Sequence, residues 1–362
     1  MIPLKTVPWQ SDTWTRALAD AITEPRALLE RLALDPAGVD FAPDFPLRVP
    51  LSFVERMRRG DRSDPLLKQV LPTLAERDAA PGYSNDPLGE ADATRSPGVI
   101  QKYRGRVLLI AAPTCAVNCR YCFRRTFPYD EHRQSIAFPS LVDVERDVTI
   151  SEVILSGGDP LMLKDAPLRR LIERIDAIAH VRRIRIHTRL PVVIPERVTA
   201  ELVALLRGTR ARTSMVLHVN HPNEIAGPFV DALHALHSAG IALFNQTVLL
   251  AGINDDAGVL EELFRGLVRQ RVRPYYLLQA DPVRGTGHLR TPLARGQDLM
   301  RTLQGRLTGI ALPRFICDTP GGRGKVPVGP DYVVSRGQGT TVLRTFRGED
   351  VTYVDPGPPR GG

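Results

Sequence analysis

The feature that most constrains the fold of this chain is an alternation that begins near residue 106, where short apolar, β-branched runs alternate with longer helical patterns. Such an alternation is typical of parallel strands joined by right-handed helical crossovers. We expect six strands, at residues 107–111, 152–155, 183–187, 214–219, 242–248 and 274–279. We expect helices at residues 167–179, 198–206, 228–238 and 257–270. The pattern predicts an α/β barrel, complete or partial, with ligands at the carboxyl ends of its strands.

The segments on either side of this barrel have a different character. Residues 1–97 are predicted to form a mainly helical extension, with an amphipathic stretch at 14–34, and no chemical motif is apparent in them. Residues 98–310 contain the barrel. Residues 311–362 contain a glycine-rich loop and a short β tail, with strands expected at 332–335, 341–346 and 351–354. We therefore predict three domains with these boundaries.

The composition narrows the class of protein. The 362 residues are 43% hydrophobic and 24% charged, which indicates a globular rather than a disordered chain. The net charge is +8, but the arginines are spread along the sequence, which favours small anionic ligands over nucleic acid. No apolar run is long enough to cross a bilayer, and the first residues lack the pattern of a secretory signal. We expect a cytoplasmic protein with no membrane or nucleic-acid partner.

Three of the four cysteines stand within eight residues, directly after the first expected strand. Cys115, Cys119 and Cys122 have the spacing C-x3-C-x2-C. In a reducing compartment, such crowding indicates metal chemistry rather than a disulfide. Three thiolates can hold three irons of a 4Fe-4S cluster and leave the fourth iron open to a ligand. A zinc site is the alternative, but zinc usually takes a fourth Cys or His ligand, and none follows here.

A second motif ends the next expected strand. Ser156, Gly157, Gly158 and Asp159 stand where a parallel sheet presents residues to a ligand. Glycines let the backbone approach a ligand closely, and an aspartate can meet an ammonium group. These four residues are therefore candidates for cofactor binding, and an ordinary turn is the alternative.

A third motif, P-G-G-x-G-K, ends at Lys325. It is not a phosphate-binding P-loop, because Thr319 and Val326 stand where that motif needs Gly and Ser or Thr. A glycine-rich loop that presents one lysine suits a Schiff base with pyridoxal phosphate. Lys325 is therefore the candidate catalytic residue. A solvated lysine in a turn is the alternative.

The cysteine motif and the lysine motif together, at this separation, resemble the lysine 2,3-aminomutase family of radical S-adenosylmethionine enzymes. The resemblance extends over residues 98–355, including segments at 218–225, 245–250, 253–255 and 288–291. Segments 47–50, 64–67 and 119–125 are most similar to the branch called elongation factor P β-lysylation protein. The resemblance implies a radical SAM-type (βα)6 partial TIM barrel with a helical N-terminal extension and a short β C-terminal tail. It also implies three cofactors: a 4Fe-4S cluster, S-adenosylmethionine and pyridoxal phosphate on Lys325.

The resemblance also assigns roles to individual residues. It implies that Arg106 and Lys102 meet the phosphate of the pyridoxal cofactor. It implies that Arg124, two positions after the last cluster cysteine, binds the substrate carboxylate, to which a guanidinium is well matched. Asp281 and Asp318 are expected to bind the distal ammonium of lysine. The alternatives are a surface charge for each arginine and the cap of a turn for each aspartate.

The implied activity is that of an L-lysine 2,3-aminomutase, an isomerase that forms β-lysine by radical migration of the amino group. In the branch named above, the β-lysine is attached to a translation factor. Three alternatives stay open: an aminomutase for arginine or glutamate, a radical SAM enzyme without pyridoxal phosphate, and a non-catalytic RNA-binding protein, for which no binding module is apparent.

The expected partners are L-lysine and a reductant such as flavodoxin or ferredoxin. A homo-oligomer stays open. Clostridial-type relatives bind a structural zinc at a subunit interface through C-terminal cysteines, and this chain has no cysteine after Cys317. That zinc is therefore not expected here.

Overall fold

The computed structural model describes residues 12–79, 81–132 and 138–356. Ten strands form one sheet in chain order. They are β1 (Thr94–Ser96), β2 (Val99–Tyr103), β3 (Arg106–Ala112), β4 (Glu152–Gly157), β5 (Arg183–Thr188), β6 (Arg212–Leu217), β7 (Ala242–Leu249), β8 (Arg273–Gln279), β9 (Arg314–Thr319) and β10 (Gly324–Pro327). A separate antiparallel sheet contains β11 (Val333–Gly337), β12 (Thr340–Arg344) and β13 (Asp350–Val354).

The central strands, β3 to β9, pair in parallel, whereas β1, β2 and β10 add antiparallel strands at the two edges. Among the described residues, the edge strands β1 and β10 do not pair with each other, so the barrel is open. The expected partial α/β barrel is confirmed. Each of the six expected strands has its counterpart in β3 to β8, and β9 extends the parallel set by one.

The described helices lie mostly between these strands. They are α1 (Thr13–Ala19), α2 (Pro25–Leu32), α3 (Leu51–Val54), α4 (Leu141–Arg146), α5 (Asp165–Asp176), α6 (Leu190–Val193), α7 (Ala200–Arg207), α8 (Pro228–Ser238), α9 (Ala257–Arg269) and α10 (Leu293–Gln304). None of them is long and apolar enough to span a bilayer, as judged over the residues that the structure describes.

Helix α9 shows how the sequence produces these crossovers. The side chain of Asp256 caps its first turn by accepting a hydrogen bond from the amide of Val259. Its buried residues recur at helical spacing and form the face that packs on the sheet: Leu260, Leu263, Phe264 and Leu267.

The segment before β1 is less helical than expected. The stretch at 14–34, predicted as one amphipathic unit, contains two short helices, because Pro25 starts α2 and cannot continue α1. Its apolar residues nevertheless join the barrel core: Trp14, Leu28 and Phe53 belong to the same buried cluster as Leu155. The division of the chain into three domains stays a prediction.

Candidate active site

A cavity of about 300 Å³ lies inside the curved sheet, toward the carboxyl ends of the parallel strands. This cavity is lined by all the site residues that the sequence predicts. They are Lys102, Arg106, Cys115, Cys119, Cys122, Arg124, Ser156, Gly157, Gly158, Asp159, Asp281, Asp318 and Lys325. Placement in one cavity does not by itself assign the roles, which depend on the contacts of each side chain.

The cysteines occupy one end of the cavity, on the loop after β3. All three thiols are free. Burial, and then the neighbouring cysteines, raise the pKa of the Cys115 thiol well above its ordinary value and that of Cys122 to about 11. Three thiols this close in a dry site need bound cations to become thiolates, which is what the irons of a cluster supply. Among the described residues, no group of three Cys, His, Asp or Glu side chains is arranged to hold a single metal ion, and this includes the three cysteines, so the side-chain geometry selects neither zinc nor a cluster.

Gly157, the last residue of β4, and Gly158, which follows it, allow the cysteine loop to lie close to the sheet. A Cβ atom on Gly158 would lie 2.3 Å from the carbonyl oxygen of Thr114, one residue before Cys115. A Cβ on Gly157, whose φ is +122°, would lie 2.5 Å from the carbonyl oxygen of Ala112. The backbone leading into the cysteine loop therefore occupies the space that a side chain at either glycine would need. Their contact with a cofactor stays a prediction.

Asp159, for which the sequence predicts contact with an ammonium group, has several hydrogen-bond partners within the protein. Its buried carboxylate accepts hydrogen bonds from the amides of Leu161, Arg189 and Leu190 and from the hydroxyl of Thr188. Burial raises the pKa of this carboxyl, and the four donors oppose the rise. The contacts make Asp159 a clamp between the ends of β4 and β5, and its role in cofactor binding stays a prediction.

Arg124, expected to bind the substrate carboxylate, already has a carboxylate partner. Glu90 accepts from its Nε and Nη2 atoms, both at 2.7 Å, and Ser156 Oγ and the Gly157 carbonyl oxygen accept from Nη1. The burial of Glu90 raises its pKa, but the guanidinium outweighs this, and the net pKa lies below the ordinary value. Glu90 was missed from the sequence because it lies in an irregular segment without a motif.

Lys325 lines the same cavity and lies on the hairpin of β9 and β10. The hairpin register places Lys325 directly opposite Asp318, and its Nζ atom donates to Asp318 Oδ2. The other oxygen of Asp318 is buried and has no partner among the described residues. The spacing of seven residues that the sequence showed therefore reflects a cross-strand ion pair.

Asp281 follows β8 and faces the same pair. Burial, and then the nearby Asp318 carboxylate, raise the pKa of Asp281 to about 7, although Lys325 and Arg290 act in the opposite direction. No described residue donates a hydrogen bond to its carboxylate. A cationic ligand between Asp281 and Asp318 would give the unpartnered Asp318 oxygen a hydrogen-bond donor and would favour the ionised form of Asp281.

Lys102 and Arg106 line the cavity near Lys325, on the strands at the open edge of the barrel. The guanidinium of Arg106 stacks over the ring of Tyr103, 4.0 Å from its centroid, and has no ion pair with a described carboxylate. Lys102 donates to the Leu88 carbonyl oxygen at 2.7 Å. The Lys325 amide donates to the hydroxyl of Tyr103, so these cations and the lysine loop are held together. Their donors suit a phosphate group.

Two half-buried histidines were not anticipated as site residues. Strand β5 points alternate residues to opposite faces, so Arg185 and His187 reach the cavity while Ile184 and Ile186 are buried in the core. His218 follows β6 and lies 6.1 Å from His187 between ring centroids. Burial lowers the pKa of His187 well below its ordinary value and that of His218 to about 4. Their positions on expected strands were the available signal.

Comparisons with known proteins add a decisive observation. Residues 109–263 match the radical SAM superfamily, and residues 300–359 match the family described as lysine-2,3-aminomutase. The L-lysine 2,3-aminomutase of Haemophilus influenzae is 41% identical over 89% of this chain and 97% of its own length. The chain belongs to the lysine 2,3-aminomutase family.

Two further relatives show how much of each chain the similarity covers. The Escherichia coli L-lysine 2,3-aminomutase is 40% identical over 88% of this chain and 94% of its own length. The Clostridium subterminale enzyme is 40% identical over 82% of this chain but 72% of its own length. As a family member the chain is a radical SAM aminomutase, and the superfamily implies a 4Fe-4S cluster and S-adenosylmethionine. The free thiols at the end of the cavity fit that cluster.

Proposed function

We propose that this aminomutase converts L-lysine to β-lysine and that it uses pyridoxal phosphate on Lys325. The observation that carries the proposal is the composition of the Lys325 end of the cavity. One amine and two carboxylates, those of half-buried Asp281 and buried Asp318, converge there, and the three thiols line the same cavity. The L-lysine 2,3-aminomutase relatives support lysine as the substrate.

The residues of the chain bind and orient the substrate in this proposal. When bound, the cluster with S-adenosylmethionine supplies a carbon radical that takes hydrogen from the substrate, and pyridoxal phosphate supplies the aldehyde that captures the amino group. Asp281 and Asp318 hold the distal ammonium, whose positive charge compensates the negative charge of the two carboxylates. Arg124 receives the substrate carboxylate, and Arg106 with Lys102 holds the cofactor phosphate.

The same residues decide which amino acids are rejected. A glutamate side chain would bring a third carboxylate beside Asp281 and Asp318, at a cost that a dry site increases. Arginine has a cation of the right sign, but its guanidinium is longer and planar. We therefore propose that lysine is preferred over arginine and that glutamate is excluded.

We further propose a physiological setting. The chain spans nearly the whole of the Haemophilus and Escherichia relatives and less of the Clostridium relative. The segments at 47–50, 64–67 and 119–125 support the branch that supplies β-lysine for elongation factor P, because they resemble it. A flavodoxin or ferredoxin as reductant and the cytoplasm as location accord with a cluster that must be reduced and with the composition of the chain.

The test is Lys325→Ala in anaerobically reconstituted protein. We expect β-lysine formation to be abolished, while iron content and the spectrum of the cluster stay unchanged because the cysteines lie on a different segment, the loop after β3. Labelled lysine, arginine and glutamate should be offered to the unaltered protein in parallel. Normal β-lysine formation by the variant would disprove the role of Lys325, and turnover of glutamate in place of lysine would disprove the proposed substrate.

A further inference from the structure

The contacts of Arg124 leave no place for a second carboxylate. A guanidinium has five N–H donors and binds a carboxylate as a fork through two adjacent ones. Glu90 takes the fork of Nε and Nη2, and Ser156 with Gly157 takes both donors of Nη1. A single N–H on Nη2 is left. A substrate carboxylate can therefore bind Arg124 as a fork only when one of these partners leaves.

We propose that Glu90 holds, in the protein without substrate, the position on Arg124 that the substrate carboxylate takes, and that binding proceeds by exchange of one carboxylate for the other. The proposal rests on the role of Arg124 given above. It makes Glu90 a residue that determines specificity. A diamine without a carboxylate cannot displace Glu90 from the guanidinium, whereas an amino acid can.

The surroundings of Glu90 permit such an exchange. Glu90 and Arg124 are buried, with side chains 7% and 6% exposed, so a displaced carboxylate without a cation would be costly. Among the described residues, the Lys102 ammonium donates to the carbonyl oxygen of Leu88, two residues before Glu90, and its charge lowers the pKa of Glu90. A displaced Glu90 carboxylate therefore stays near a cation, which it shares with the cofactor phosphate.

The segment that carries Glu90 also contacts the lysine loop. Residues 88–90 lie outside the helices and strands, and Gly89 has a φ of +57°. A Cβ on Gly89 would lie 2.9 Å from the carbonyl carbon of Gly321. A movement of Glu90 is thus transmitted to the turn before Lys325, which couples recognition of the carboxylate to the position of the lysine.

The alternative is that Glu90 only keeps Arg124 in place. In that case its loss weakens the binding of every carboxylate substrate. In the exchange scheme, loss of the Glu90 charge removes a competitor and strengthens binding. The two possibilities thus predict opposite signs for the same substitution.

The experiment is equilibrium dialysis of labelled L-lysine and labelled 1,5-diaminopentane with unreduced, cofactor-loaded protein, in which no turnover occurs. We expect Glu90→Gln to bind lysine about tenfold more tightly, because a neutral amide competes less well than a carboxylate for the guanidinium. Affinity for the diamine should not change. Unchanged or weaker lysine binding by the variant overturns the proposal.

Two further variants keep the outcome interpretable. Asp86→Asn is the matched control, because Asp86 accepts from the amides of Glu90 and Ala91 and does not contact Arg124. If it tightens lysine binding as much as Glu90→Gln does, loosening of the segment explains the effect and the proposal fails. If Glu90→Gln does not fold, Glu90→Asp replaces it, with a smaller gain in lysine affinity expected and no gain counting against the exchange.

Arg124→Met separates the failure of this proposal from that of the proposed function. It should weaken lysine binding and leave the diamine unaffected. Equal loss for both ligands, or no loss, would show that Arg124 does not bind the carboxylate, whatever Glu90 does. Tighter lysine binding by Glu90→Gln that disappears in the double variant with Arg124→Met would confirm the exchange.

Discussion

Two aspartates follow parallel strands of the barrel, buried Asp159 after β4 and half-buried Asp281 after β8, and their surroundings differ. Asp159 accepts hydrogen bonds from three amides and one hydroxyl. Asp281 has no donor among the described residues, and its pKa is raised to about 7. The first is part of the architecture. The second is costly for the folded chain unless a cation binds, which is typical of a ligand site.

The largest effect should come from Asp159→Ala. Four donors lose their acceptor in the core, and each unsatisfied buried group costs roughly 1–3 kcal/mol. We expect the free energy of unfolding of the cofactor-free protein to fall by about 4 kcal/mol, measured by urea denaturation. Asp231→Asn, an exposed position on α8, is the control and should change little. A loss no larger than the control's would mean that Asp159 does not clamp the strand ends.

Asp281→Asn should lower activity and not stability, in contrast to Asp159→Ala. Stability should be kept or increased, since no charge is buried, whereas kcat/KM for lysine should fall about 100-fold because the distal ammonium loses one carboxylate. Steady-state kinetics and the same urea titration measure the two quantities. A destabilised variant with normal kcat/KM would place Asp281 with Asp159 as an architectural residue.

The pH dependence of kcat/KM should also distinguish Asp281 from Asp159. Asp281 must be ionised to attract the ammonium, and its pKa of about 7 means that it becomes protonated as the pH falls through neutrality. We expect kcat/KM for lysine to decrease below pH 7 and to approach a tenfold loss per pH unit. This decrease in kcat/KM at low pH should be absent in Asp281→Asn. If it persists there unchanged, another group is responsible.

The smallest effect should come from Thr188→Val, which removes one donor to Asp159 and keeps the shape of the side chain. The expected loss is about 1 kcal/mol in the free energy of unfolding, with kcat/KM for lysine nearly unchanged. In combination with Asp159→Ala the two losses should not add, because both report on the same contact. Full additivity would argue against the clamp.

The sequence predicted the barrel well and the first segment poorly, for one physical reason. Strands β3 to β8 and the helices between them follow from periodic apolar patterns, so α8 begins and ends where expected. Within residues 12–79 and 81–93, the structure has short helices, turns and isolated β-bridges, whose positions depend on packing against the barrel.

The candidate site was predictable in its members and not in its contacts. Motif and resemblance identified Lys325, Asp281 and the cysteines, which do line one cavity. They could not show that Asp159 is saturated by the protein or that Glu90 holds Arg124, because hydrogen bonds between residues distant in sequence leave no local pattern. The two glycines after β4 illustrate the same limit, since the close approach was foreseen and its partner was not.

The bond between the Lys325 amide and Tyr103 joins positions 222 residues apart. The loop that it closes contains every parallel strand, so its ordering entropy must first be offset by pairing of those strands. During synthesis the cysteine loop leaves the ribosome long before the lysine. Because the hairpin of β9 and β10 ends after every parallel strand in the chain, the contact between Lys325 and Tyr103 can form only once the whole barrel has been synthesised.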